Sequence, residues 1–94
     1  MRFENQVALI TGGGTGIGRA TALAFAENGA RVVIANRRTE TGQAVVKEIQ
    51  SQGGQAFFQQ TDVTQPDSVK ALIERIEKEY GQLDFAFQYA GYGG

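Results

Sequence analysis

The chain has 94 residues with a formal net charge of −1, and 41% of its residues are hydrophobic while 20% are charged. This composition is typical of one small globular domain and excludes wholesale disorder, and the well-mixed charges do not indicate a nucleic-acid or membrane partner. Because the sequence has no cysteine and no histidine, it excludes a disulfide framework and a thiolate metal site and lacks the commonest metal ligand, so we predict no metal.

The chain begins with a strand, a helix and a second strand. Residues 7–10 (VALI) are continuously apolar, which is typical of a parallel strand buried on both faces. A helix follows a run of glycines, and Asn28-Gly29 marks its end. The apolar residues that fit this helix are Ile17, Ala20, Leu23, Ala24 and Ala26. Residues 31–35 (RVVIA), rich in β-branched side chains, predict the second strand.

The second half of the chain repeats this alternation. Thr39 is placed to cap a second helix that ends at Gly53-Gly54, and residues 55–60 (QAFFQQ) predict a third strand. Thr64 and Asp67 resemble a capping box for a third helix. Its apolar face comprises Val69, Leu72, Ile73, Ile76 and Tyr80. Residues 83–90 (LDFAFQYA) predict a fourth strand.

Four strands and three helices therefore alternate with short connections. This order predicts right-handed βαβ crossovers and a parallel sheet covered by helices on both faces. The expected fold class is α/β: a Rossmann-like doubly wound parallel sheet, truncated to about four strands and three helices in the order βαβαβαβ.

The glycines of residues 11–20 (TGGGTGIGRA) stand between the first strand and the first helix. A helix that begins near Gly16 offers unpaired N–H groups and the positive end of its dipole to an anion. In this interpretation Gly12 permits the tight turn out of the strand, Gly16 lets a pyrophosphate approach the backbone, and Gly18 lets helix and strand pack closely. A floppy surface turn is the alternative.

From Thr11 through Gly18 the motif reads Thr-Gly-x-x-x-Gly-x-Gly. This pattern matches neither a triphosphate-binding loop nor the strict dinucleotide pattern GxGxxG. Together with Asp62-Val63 after the third strand and Ala90-Gly91 after the fourth, it resembles the short-chain dehydrogenase/reductase family over the whole chain. The resemblance implies that a nicotinamide dinucleotide binds at the carboxyl ends of the strands. The residues of the glycine segment that we expect to contact it are Thr11, Gly12, Gly14, Thr15, Gly16, Ile17 and Gly18.

The second strand ends in Asn36-Arg37-Arg38, where an NAD site usually has a carboxylate for the ribose 2′-hydroxyl. Arginine can instead bind a 2′-phosphate through paired, charge-assisted hydrogen bonds. The resemblance also implies NADP(H), which we favour over NAD(H), with Arg37 ahead of Arg38. The alternative is that both arginines are merely solvated loop residues.

Asp62 and Val63 are expected to line the adenine, although Asp62 could serve only to order the turn before Thr64. Arg19 could approach the phosphates, or it could face solvent. At the fourth strand the family reads Asn-Asn-Ala-Gly, whereas this chain reads Gln88-Tyr89-Ala90-Gly91. Ala90 and Gly91 keep the small side chains that let the adenosine ribose lie against the backbone.

Hydride transfer in the family depends on a Ser, an Asn and a Tyr-x-x-x-Lys helix beyond the fourth strand, and this chain lacks them: Tyr80 is followed four residues later by Asp84. We therefore expect residues 1–94 to be a single dinucleotide-binding half of an NADP(H)-dependent oxidoreductase of alcohols or carbonyls, inactive alone. The alternatives are a non-catalytic nucleotide-binding module and an engineered or truncated fold fragment.

The fourth strand is expected to present an unpaired edge, through which the chain could self-associate. The N-terminus has only a four-residue apolar run before Thr11, which is too short for a signal peptide or a membrane span. We therefore expect a cytoplasmic location.

Overall fold

A computed structural model describes residues 2–12 and 16–88. The strands are Val7–Thr11 (β1), Arg31–Asn36 (β2), Gln55–Gln60 (β3) and Phe85–Gln88 (β4). The helices are Gly16–Glu27 (α1), Thr39–Ser51 (α2) and Pro66–Glu79 (α3). Strand and helix alternate throughout these residues, so the predicted order is confirmed.

The four strands form one parallel sheet in the order β3-β2-β1-β4. Leu9 of β1 lies beside Val33 of β2 and Ala86 of β4, and Val33 lies beside Phe57 of β3. In a parallel sheet every strand ends at the same edge, so the segments that follow the strands are neighbours in space. The Rossmann-like α/β class is confirmed.

Helices cover both faces of the sheet, because successive side chains of a strand point to opposite faces. Ala8, Ile10, Val32 and Ile34 face α1 and α2 and form one buried cluster with residues of those helices. The other face, which includes Leu9 and Val33, packs against Leu72 and Ile76 of α3. β1 and β2 are buried along nearly their whole length, which explains why both read as continuous apolar runs.

The face that α1 turns to the sheet agrees with the expectation for Gly18 and differs at two of the apolar residues assigned to the helix. Gly18 and Ala22 are buried, whereas Ile17 is 70% exposed and Ala24 is exposed. The smallest side chains face inward because they let the helix axis approach the sheet closely. On α3 the predicted apolar face includes Ile73, which is 36% exposed at the rim of a groove described below.

Two predicted helix caps are wrong. The residue before α2 is Arg38, with extended backbone and no side-chain cap, so Thr39 is the first helical residue. The residue before α3 is Gln65, also without a side-chain cap. Thr64 uses its hydroxyl to donate to Asp62 Oδ1 at 2.6 Å, and it is therefore engaged within the preceding turn.

β4 is shorter at its start than predicted, since Leu83 and Asp84 precede it. Asp84 instead anchors the sheet, because its Oδ2 accepts a hydrogen bond of 2.8 Å from the buried N–H of Val7. The ring centroids of Phe85 and Phe87 lie 5.2 and 5.4 Å from the ring centroid of Phe25 on α1. These half-buried side chains of the outer strand therefore pack against α1.

Within the described residues β3 is the other outer strand of the sheet. The N–H of Thr61 donates to the carbonyl of Asn36 on β2. The backbone N–H and C=O groups of odd-numbered residues in this segment therefore point toward β2, and those of even-numbered residues point away from the sheet. Two outward carbonyls of β3 are covered by side chains. Gln50 of α2 donates to that of Ala56, and Arg75 of α3 donates to that of Phe58, at 3.2 and 2.9 Å.

Candidate functional site at the carboxyl edge of the sheet

The predicted binding residues at the ends of β1, β2 and β3 gather where the strands of the sheet have their C-terminal ends, which is here called the carboxyl edge. The N–H of Gly12, directly after β1, donates to Ala35 at 2.9 Å, and Thr61, directly after β3, is bonded to Asn36 at 3.0 Å. The Thr11 hydroxyl donates to the carbonyl of Phe87 at 3.2 Å, which links this end of β1 to β4. The parallel sheet therefore brings together segments that are about 25 residues apart in sequence, as βαβ units do.

Two glycines of this segment have a backbone conformation that residues with a Cβ rarely adopt. Gly12 has a φ of 77° and Gly16, the first residue of α1, a φ of 45°, both in the left-handed region. Apart from its chain neighbours and the backbone of its own helix, no atom of the described residues lies within 4 Å of the position that a Cβ on Gly16 would occupy. Ile17 is exposed and Gly18 is buried. The first-turn N–H groups of α1 have no partner within the helix and are directed at this edge.

A two-residue loop, Arg37-Arg38, connects β2 to α2, and both of its side chains are exposed. Its backbone is held from two sides. The Nδ2 of Asn36 donates to the carbonyl of Arg38 at 2.8 Å and to Thr41 Oγ1 at 3.2 Å. The Nε2 of Gln60, at the end of β3, donates to the carbonyl of Arg37 at 3.0 Å. Gln60 was not among the predicted site residues, since nothing in its local sequence reveals a contact with a loop 23 positions earlier.

Asn36 is only 3% exposed, and its Oδ1 is a buried oxygen that has no hydrogen-bond partner among the described residues. Buried polar atoms are nearly always paired, so an unpaired acceptor needs an explanation. This oxygen lies 2.9 Å from the point that a Cβ on Gly42 would occupy. The first turns of α2 can therefore pass over Asn36 only because residue 42 has no side chain.

Asp62 orders the turn before Thr64. Its Oδ1 accepts from the N–H of Thr64 at 2.9 Å and from the Thr64 hydroxyl at 2.6 Å. These two hydrogen bonds favour the carboxylate, and they lower the pKa of Asp62, with a smaller contribution from the positive charge of Arg37. The N–H of Asp62 donates to Ser68 Oγ at 2.9 Å. The carboxylate remains at the carboxyl edge with its Oδ1 directed into its own turn.

Arg19, which was considered as a phosphate contact, forms an ion pair within the protein. Its Nε and Nη2 donate to the two carboxylate oxygens of Glu48 at 3.1 and 2.6 Å, which joins α1 to α2 by a bidentate ion pair. A guanidinium held in this way has a partner other than a phosphate. The sequence could not show this contact because the two residues lie on different helices.

The structure also shows a feature that sequence reasoning missed, an apolar groove of about 350 Å³ between α3 and the ends of β1 and β4. Its lining includes Thr11, Val63, Ile73 and Gln88. The half-buried Val63 therefore lies at the carboxyl edge, as predicted. The predicted contacts Gly14, Thr15, Ala90 and Gly91 lie outside the described residues.

Comparison with known proteins supplies the family. The family model described as short chain dehydrogenase matches residues 6–94. An uncharacterised oxidoreductase of Listeria monocytogenes is 44% identical over 91 residues, which are 97% of this chain and 37% of that protein. The chain thus spans well under half the length of the curated relatives that it matches.

Solved structures agree with the sequence comparison. A hydroxysteroid dehydrogenase from Escherichia coli superposes with a TM-score of 0.93 at 39% identity, covering 99% of this chain and 40% of that one. A metagenomic short-chain oxidoreductase in complex with NADP gives a TM-score of 0.87 at 34% identity, covering 92% of this chain and 39% of that one. Across residues 2–12 and 16–88 none of the helices is long and apolar enough to cross a membrane. On its fold, its glycine segment and these matches, the chain belongs to the short-chain dehydrogenase family of oxidoreductases.

Proposed function

We propose that residues 1–94 are a single dinucleotide-binding half of an oxidoreductase that uses NADP(H) to interconvert an alcohol and a carbonyl. The nicotinamide of such a cofactor supplies hydride exchange with the substrate. The one observation that carries the choice of NADP(H) is the pair of exposed arginines, Arg37 and Arg38, directly after a strand end that has Asn36 in place of a carboxylate. The likeness to a structure in complex with NADP supports the same choice.

The described residues fit this cofactor. The open space beside Gly16 and the first-turn amides of α1 suit a diphosphate, which would lie along Thr11, Gly12, Ile17 and Gly18. A 2′-phosphate would be bound by the guanidinium groups of Arg37 and Arg38, which together are called the arginine loop below. Because residue 36 is an asparagine, it carries no negative charge that would repel the phosphate.

We assign the adenine to the neighbourhood of Asp62 and Val63, and the ribose to Ala90 and Gly91. In this proposal the bond from Thr64 orients the Asp62 carboxylate, so that one oxygen serves the turn and the other serves the adenine amine. The catalytic Ser and Tyr-x-x-x-Lys belong to a part of the parent protein outside these residues. The 94 residues are then expected to bind the cofactor without turnover, in the cytoplasm, and to self-associate through the outer edge of β4.

Calorimetric titration with NADP⁺ and NAD⁺ tests the proposal. We expect the chain to prefer NADP⁺ by tenfold to hundredfold, since hydrogen bonds to charged groups contribute about 1.5–3 kcal/mol. Arg37→Ala should remove most of this preference and leave the affinity for NAD⁺ unchanged. Arg2→Ala, which removes an exposed arginine before β1, is the matched control. Equal affinity for both cofactors in the unmodified chain would refute the proposal.

A further inference from the structure

We infer that Gln60 is a positioning residue for cofactor selection: it orients the arginine loop and thereby sets the preference for a 2′-phosphorylated adenosine ligand. This inference rests on the proposed function. Gln60 is the last residue of β3, and its amide reaches across the carboxyl edge to the carbonyl of Arg37 at 3.0 Å.

The arginine loop is short, and each of its two carbonyls is bonded to a side-chain amide. Asn36 holds the carbonyl of Arg38 from within the same segment, and Gln60 holds that of Arg37 from a neighbouring strand. Because a peptide unit is planar, fixing a carbonyl direction also fixes the N–H and the Cα positions on either side. The Gly42 N–H and the Thr41 hydroxyl also donate to the carbonyl of Arg38, at 3.4 Å each. The carbonyl of Arg37 is bonded by Gln60, which therefore restricts the direction in which the Arg37 side chain leaves the backbone.

Direction matters for arginine more than for a simple point charge. A guanidinium binds phosphate through two parallel N–H groups, which requires its plane to meet the phosphate at the right angle. The side chains of Arg37 and Arg38 are exposed, so the conformation of the loop backbone sets the region that their guanidinium groups can reach. A loop free to rotate would keep its positive charge and lose part of this geometric match.

The two holding residues differ in what their loss would do. Asn36 is buried beside Gly42, so changing it would alter packing as well as the loop. Gln60 is exposed, and the carbonyl of Arg37 can bond to water when the amide is gone. Its removal should therefore leave the fold nearly unchanged and act on ligand selection, which separates a positioning role from a structural one.

The test measures calorimetric affinities of the chain for adenosine 2′,5′-bisphosphate and for adenosine 5′-monophosphate. The variants are Gln60→Met, Arg37→Ala and the matched control Gln65→Met, which changes an exposed glutamine that makes no cap bond before α3. We expect Gln60→Met to lower the preference for the bisphosphate threefold to tenfold, about the value of one hydrogen bond, at unchanged affinity for the monophosphate. Gln65→Met should match the unmodified chain.

The outcomes distinguish this inference from the proposed function. If the unmodified chain shows no preference for the bisphosphate, the proposed function fails. If Arg37→Ala loses the preference while Gln60→Met retains it, or if Gln60→Met weakens both ligands equally, the positioning role is wrong and the proposed function stands. Gln60→Thr, which suits a strand and is too short to reach the loop, replaces Gln60→Met should that variant fail to fold.

Discussion

Replacing Gly42 by alanine tests how α2 packs over the arginine loop. Gly42 is buried in the second turn of α2, and an added Cβ would lie 2.2 and 2.3 Å from two ring carbons of Phe58 and 2.9 Å from Asn36 Oδ1. These separations are far below van der Waals contact, so the Phe58 ring must move. The substitution therefore introduces a conflict between helix propensity and packing.

The two effects have opposite signs and comparable sizes. Alanine is favoured over glycine in a helix by about 1 kcal/mol. Overpacking a close contact typically costs about 1–3 kcal/mol, and two ring carbons near 2.2 Å place this site at the upper end. We expect Gly42→Ala to lower the free energy of unfolding by about 1–2 kcal/mol, measured by urea denaturation followed by circular dichroism.

A second background shows whether the ring is responsible. Phe58→Val removes the ring carbons that meet the new Cβ and retains a side chain suited to a strand. In that background Gly42→Ala should cost clearly less than with Phe58 present, because only the approach of 2.9 Å to Asn36 Oδ1 then opposes the gain in helix propensity. An effect of Gly42→Ala that is the same with Phe58 and with Val at position 58 would refute the reasoning.

Three further predictions follow from other contacts. Asp84→Ala should lower the free energy of unfolding by about 1–3 kcal/mol because it leaves a buried N–H of β1 unpaired, and Asp84→Asn, which keeps the acceptor, should cost less in the same denaturation assay. Thr64→Val should raise the depressed pKa of Asp62 in an NMR titration, since the hydroxyl bond lowers it. The stability that this bond adds is present above about pH 4 and disappears as the pH falls through the folded pKa. Arg75→Met should uncover a carbonyl on the outer edge of β3 and increase self-association in sedimentation experiments, whereas Lys78→Met, the same charge change on α3, should not.

Much of the fold could be predicted because the signals are local. The strand runs of β1 and β2 contain side chains that are buried on both faces, and a continuous apolar run has few other uses. Gly29 and Gly53 follow α1 and α2 where expected, since each has a positive φ that other residues avoid. The candidate site followed from the same reasoning, because parallel strands deliver their ends to one edge.

The errors concern choices that local sequence leaves open. Thr64 can cap a helix or bond to Asp62, and both are good hydrogen bonds for a hydroxyl, so the path of the turn decides. On α1 the burial of Gly18 agrees with the close packing expected of it, whereas Ile17, an apolar residue that also fits the helical period, is exposed. Periodicity alone does not say which of the apolar residues face the sheet, because that depends on how the helix is rotated about its axis.

The amino-acid sequence by itself determined the order of strands and helices, the places where helices stop and the edge at which the site lies, since periodicity and backbone conformation act between near neighbours. The tertiary structure decided which side chains meet across that edge. The hydrogen bonds from Gln60 to the arginine loop, from Arg19 to Glu48 and from Val7 to Asp84 join residues that are distant in the sequence. Their formation depends on how the sheet twists and how the helices are placed on it, which no short stretch of sequence encodes.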